Sequence, residues 1–139
     1  MGKVLSDEQI RAWDEDGCIF PIRAVAPDAA EANLQRFLDL ERTIGEEPQN
    51  RFKIKAHLPF PWMWNIIRNE TILDAVEDII GPNILCWGSS FFTKQGNDSR
   101  FVSWHQDSTY YGLSERSTLN VWYAFSRSDV VSGCMQFIP

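Results

Sequence analysis

The chain has 139 residues, 44% of them apolar and 13% aromatic, which suffices for a real core in one domain spanning 1–139 and excludes a disordered polymer. The formal net charge of −6 argues against nucleic acid as a partner, since phosphate contacts need a basic face, and leaves no polybasic patch for a membrane. No apolar run approaches a membrane span, and MGKVLSDEQI lacks the apolar core of a signal peptide, so no membrane association is expected. Cys18, Cys86 and Cys134 are odd in number, widely spaced and without a CxxC, so they read as buried thiols in a reducing, cytoplasmic setting and not as a disulfide framework or zinc site.

In chain order, Ser6-Asp-Glu-Gln9 forms a capping box that opens a helix ending at Gly17. MGKVLS also fits the loose pattern for N-myristoylation at Gly2, with helix capping as the competing use of Ser6. Cys18–Ile22 reads as a short strand with Pro21 at its edge. Asp28 is expected to cap a second helix running to about Thr43, with Ala30, Leu34, Phe37 and Leu38 as its apolar stripe and Gly45 as its stop. After a loop at Glu46–Asn50, Arg51–His57 alternates basic and apolar residues as a strand would. Leu58–Asn65 is dense in proline and aromatics and suits either a pocket wall or a loop over the core. Ile66–Ile80 reads as helix, broken near Asn69 and stopped by Gly81-Pro82. Ile84–Lys94 reads as a central strand and Gln95–Arg100 as a polar loop. Ser114–Ser117 reads as a turn, Leu119–Phe125 as a strand, Ser126–Ser132 as a polar loop, and Gly133 opens a last strand.

The stretch with the most chemistry is Phe101–Leu113, FVSWHQDSTYYGL. His105 and Asp107 are two residues apart, and in a strand that spacing sends both side chains to one face. One imidazole and one carboxylate in the same space are most of what a 2-His-1-carboxylate Fe(II) centre needs. Acidic residues are 19 of 139, so a His with an acid at i+2 arises by composition in about one case in seven, and a satisfied His–Asp hydrogen bond is the plain alternative. The large rings around the pair, Trp104, Tyr110 and Tyr111, with Leu113, form an apolar frame that a solvated surface pair would not usually have.

The run SWHQDSTYYGL resembles the metal-binding segment of the phytanoyl-CoA dioxygenase family of Fe(II)- and 2-oxoglutarate-dependent oxygenases. ILDAVEDIIGPNILCWGSSFF (Ile72–Phe92) is similar to the helix and strand that precede this motif, and GCMQFIP (Gly133–Pro139) to the strand that follows it. The resemblance implies His105 and Asp107 as iron ligands, with Fe(II) as cofactor and 2-oxoglutarate and O2 as cosubstrates. It places Ser90 and Trp122 beside the 2-oxoglutarate. It makes Lys53, Lys55 and His57 candidates for reaching a carboxylate of cosubstrate or substrate, with Lys55 chosen among them; an edge strand guarded by lysines is the alternative. Because halogenating relatives lack the carboxylate, Asp107 implies hydroxylation of a small-molecule substrate, with 2-oxoglutarate decarboxylated to succinate.

The implied fold is α+β and mainly β, a partial double-stranded β-helix (jelly roll, cupin-like) with N-terminal helices packed on the sheet. The resemblance also implies a second His beyond Asp107 and a downstream Arg for 2-oxoglutarate. The only histidines are His57 and His105, and the chain stops at Pro139 inside an apolar run. The expectation is a C-terminally truncated fragment, the N-terminal portion of an oxygenase domain, inactive by itself. The alternative is a non-catalytic jelly-roll fragment or binding module without a complete metal site.

Overall fold

Ser6 begins the first helix as its sequence dictates. Its hydroxyl accepts from the Gln9 N–H at 3.2 Å, and the Gln9 side chain accepts from the Ser6 N–H at 2.9 Å, so two free donors are met at the N-terminus of α1 (Asp7–Asp16). Gly17 ends the helix in the left-handed region at φ 72°, a conformation glycine adopts without steric cost. This is a computed structural model, and it describes residues 2–113 and 118–138. The expected turn at Ser114–Ser117 and the final Pro139 lie outside the described residues.

The second helix, α2 (Pro27–Ile44), starts two residues earlier than expected. Pro27 occupies its first turn and Ala26 the capping position, while the Asp28 carboxylate meets the Ala29 N–H at 2.9 Å. Two short helices follow where a loop and a proline-aromatic stretch were expected, α3 (Pro48–Arg51) and α4 (Pro61–Ile67), each with Pro at its start. Asn69 caps α5 (Glu70–Ile80) by accepting from the Ile72 N–H at 3.1 Å, which is the break anticipated within 66–80. The sixth helix, α6 (Ser108–Tyr111), is a single turn.

The core lies between α2, α4 and the loops that cross them. Phe37, Ala56, Met63 and Phe91 are buried together, with Phe52, Phe60, Trp62, Ile66 and Phe125 packed against them. The Phe37 ring sits 5.4 Å from that of Phe91 and 5.8 Å from that of Phe125, tilted in both cases, as aromatic quadrupoles prefer.

The N-terminal segment is tied to α5 through one carboxylate. Asp78 accepts from the N–H groups of Lys3, Val4 and Leu5 at 2.7, 2.9 and 2.9 Å. A side chain at Gly2 would meet Asp78 Oδ2 at 2.6 Å and the Leu5 carbonyl oxygen of the backbone at 2.8 Å, so glycine suits the close approach there. The three backbone donors, Leu5 foremost, hold the Asp78 carboxyl below the usual aspartate range. A depressed folded pKa contributes stability above the unfolded value and loses it as pH falls through the folded one. Amide protection at Lys3–Leu5 is therefore expected to be full above about pH 4 and to vanish in more acid solution. Asp78→Ala should speed exchange of those three amides roughly tenfold at neutral pH. Unchanged exchange in that variant would show that Asp78 does not hold the segment.

The mainly-β expectation is overturned. About 41% of the described residues are helical, and none of them forms a strand. A strand exists only through a ladder of backbone bonds to a neighbour. Among the described residues, the Ala56 N–H to the Ser89 carbonyl, 2.9 Å, is a lone backbone link between segments read as strands and makes no ladder. Side chains take the place of strand partners. The Gln49 amide both accepts from the Thr93 N–H (2.7 Å) and donates to the Thr93 carbonyl (3.2 Å), and the Ser89 hydroxyl accepts from the His57 N–H (3.0 Å). Within Arg51–His57, Arg51 belongs to α3 and Lys55 is left-handed at φ 59°, which destroys the two-residue alternation. In Ile84–Lys94 and Leu119–Phe125 the apolar residues Leu85, Trp87, Phe92, Val121 and Trp122 are exposed, so alternation here does not mark one buried face. The cysteines also depart from expectation, since none is buried and Cys86 is exposed. The chain exposes 10561 Å², against about 7,400 Å² for a compact monomer of its mass, consistent with that unpaired surface. Among the described residues no helix is long and apolar enough to cross a membrane.

Candidate functional site

His105 and Asp107 meet through a turn and not across a strand face. The backbone curls where Thr109 N–H reaches the Gln106 carbonyl (3.2 Å) and Tyr110 N–H the Asp107 carbonyl (2.9 Å). Asp107 is the N-cap of α6 and already has helical dihedrals (φ −61°, ψ −35°), while Gly112 closes that turn in the left-handed region at φ 63°. The curl swings the Asp107 carboxylate back, so that Oδ1 lies 3.0 Å from His105 Nε2.

The other imidazole nitrogen is fixed by the backbone. His105 Nδ1 lies 2.7 Å from the Ser103 carbonyl oxygen, which can only accept, so Nδ1 carries a proton. The Ser103 carbonyl first, and then the Asp107 carboxylate, raise the His105 pKa above its ordinary value. The carboxylate is held from its far side. Asn120 Nδ2 donates to Asp107 Oδ2, and the Tyr111 hydroxyl donates to Asn120 Oδ1 at 3.2 Å. The Tyr111 ring rests 5.2 Å from that of Trp87, and the Tyr110 ring is 6.0 Å from the His105 imidazole. The apolar frame is looser than the sequence implied, because Trp104 and Tyr110 are exposed. The side chains of His105 and Asp107 are 35% and 47% exposed, so the pair is open on one side.

This donor set fits a divalent metal. Two ligands bound at about 2.1 Å and at right angles are about 3 Å apart, the separation of His105 Nε2 and Asp107 Oδ1. A ligating His almost always gives its other N–H to a carbonyl or carboxylate, and His105 does so to Ser103. Among the described residues no group of three or more His, Cys, Asp or Glu converges on a point.

The remaining candidates are not all drawn to the pair. Trp122 is half-exposed with its ring 5.6 Å from Phe92, two residues beyond the Asn120 that touches Asp107. Ser90 is exposed, between Ser89 and the buried Phe91. His57 is buried, its Nδ1 2.7 Å from the Ser89 hydroxyl and its ring stacked on Trp64 at 5.7 Å, which is a structural placement. Lys53 and Lys55 are exposed, and the Lys55 carbonyl accepts from the Leu58 N–H at 3.0 Å. Sequence reasoning passed over Asn120 as a partner of Asp107 and Tyr111 as a partner of Asn120. The signal for Asn120 was a single polar residue inside the apolar run Leu119–Phe125.

The family model for phytanoyl-CoA dioxygenase matches residues 13–139 of the chain. No curated protein and no solved structure matches it.

Proposed function

This chain belongs to the phytanoyl-CoA dioxygenase family, and from that premise we propose that it is an Fe(II)- and 2-oxoglutarate-dependent dioxygenase that hydroxylates a small molecule. The observation that carries the reading is the His105–Asp107 pair, with Nε2 and Oδ1 at the separation of neighbouring metal ligands and Nδ1–H committed to Ser103. Bound there, Fe(II) supplies the redox chemistry that couples O2 and 2-oxoglutarate to substrate hydroxylation, giving succinate, CO2 and the alcohol.

The chain's own residues have defined tasks in this reading. His105 offers the Nε2 lone pair once its proton leaves, and the Ser103 carbonyl keeps the ring from rotating. Asp107 offers Oδ1 as the anionic ligand. Ser90 and Trp122 would lie beside the 2-oxoglutarate, roles that rest on the family resemblance. Lys55 is the cation for a carboxylate. That role rests on the resemblance alone.

A second reading, a non-catalytic binding module, is favoured by one observation. No third His, Cys, Asp or Glu joins the pair among the described residues. The two readings separate in one assay. In a form of the protein that supplies a third ligand, anaerobic loading with Fe(II) followed by 2-oxoglutarate and O2 should release succinate in an iron-dependent manner. Iron bound at His105 and Asp107 with no succinate released would favour the module.

A further inference from the structure

The Asp107 carboxylate does not choose its own orientation. Its Oδ2 accepts from Asn120 Nδ2, thirteen residues further along the chain, and this leaves Oδ1 turned toward His105 Nε2. Chemistry forces the sense of the Asn120 amide. An ionised carboxylate only accepts, so the amide nitrogen must face Asp107 and the amide oxygen must face away. The Tyr111 hydroxyl meets that oxygen at 3.2 Å as a donor. Tyr111 belongs to the helical turn that Asp107 caps, and its ring lies against Trp87. The relay runs from Tyr111 through Asn120 to Asp107 and returns to the same turn of backbone.

We propose that Asn120 is a positioning residue for the metal site, holding Asp107 so that a single oxygen faces the metal, and that Tyr111 fixes the amide of Asn120. The inference rests on the reading of His105 and Asp107 as metal ligands. A carboxylate with both oxygens free can chelate a metal with both and occupy two coordination positions. With Oδ2 committed to Asn120, Asp107 occupies one position and leaves the rest of that face open for chelation by a small ligand. Partners of this kind orient ligands, and their loss typically lowers metal affinity by about 10- to 100-fold.

The test is a titration of the whole chain with Co(II) alone, read by binding affinity and by the Co(II) absorption spectrum, with thermal unfolding alongside. Asn120→Ala should weaken Co(II) binding about tenfold or more and change the visible spectrum, as the freed carboxylate alters its mode of coordination, with the melting temperature unchanged. Tyr111→Phe removes one oxygen and keeps the ring against Trp87. It should weaken binding by a smaller factor in the same direction, and it remains informative if Asn120→Ala folds poorly. His105→Ala separates the two levels of the argument. Co(II) binding lost in His105→Ala but unchanged in affinity and spectrum in Asn120→Ala and Tyr111→Phe would overturn the positioning role and leave the ligand pair standing. Co(II) binding that survives His105→Ala, or is absent from the parent chain, would overturn the ligand reading and this inference with it.

Discussion

In a form of the protein that supplies a third ligand, Asp107→Ala is expected to reduce iron- and 2-oxoglutarate-dependent succinate release to the level measured without metal, and to weaken Fe(II) binding on the order of a hundredfold or more. The site as described offers two protein ligands close together, so removing the only anionic one leaves a single imidazole. The substitution also strands two neighbours. His105 Nε2 loses the acceptor at 3.0 Å, and Asn120 Nδ2 loses the oxygen to which it donates. Stability should be nearly unaffected. Asp107 stands at the N-cap of α6, but its side chain makes no capping bond there, and the residue is exposed. A variant with a normal melting temperature and no iron-dependent turnover is therefore the expected result. Succinate release at the parent rate would remove Asp107 from the ligand set.

The second large effect lies in the core. Phe37→Ala is expected to lower unfolding free energy by about 3–5 kcal/mol, the range for deleting a large buried aromatic side chain. Phe37 is 6% exposed and touches the rings of both Phe91 and Phe125, so it links α2 to two segments with no ladder of their own. Neighbours that are themselves held by few backbone bonds can shift into the gap, which would bring the cost toward the lower end. Domains have only about 5–15 kcal/mol to lose, so this variant should approach the unfolding threshold. Phe101→Ala makes the contrast, because Phe101 is 84% exposed and its loss should cost within about 0.5 kcal/mol. Denaturant titration of the two variants measures both. A cost below about 1 kcal/mol for Phe37→Ala would show that the aromatic cluster is not the stabilising centre.

What the sequence made legible is what a few neighbouring residues decide. The Ser6–Gln9 capping box and the helix ends at Gly17 and Gly45 follow from contacts within four residues, and they lie where the pattern placed them. That the alternating segments form no strand among the described residues was not legible, because a strand needs a partner elsewhere in the chain. Alternation in Ile84–Lys94 describes a pattern of side chains, whereas Gln49 and Ser89 side chains supply the bonds that a neighbouring strand would have made. His105 and Asp107 illustrate a correct proximity reached through the wrong local geometry. Two-residue spacing suggested a shared strand face, and a turn into α6 brings the groups together instead. Asn120 stood out only as a polar residue inside the apolar run Leu119–Phe125, and no periodicity relates positions thirteen apart to point it at Asp107.

The central claim is that His105 and Asp107 hold a divalent metal. Anaerobic titration of Fe(II) into the parent chain and into His105→Ala, followed by calorimetry, tests it most directly. The expected result is one equivalent of Fe(II) bound by the parent, with the weak affinity of a site presenting two protein ligands, and no saturable binding by His105→Ala. Equal binding by both proteins would contradict the assignment and return the pair to an ordinary surface hydrogen bond.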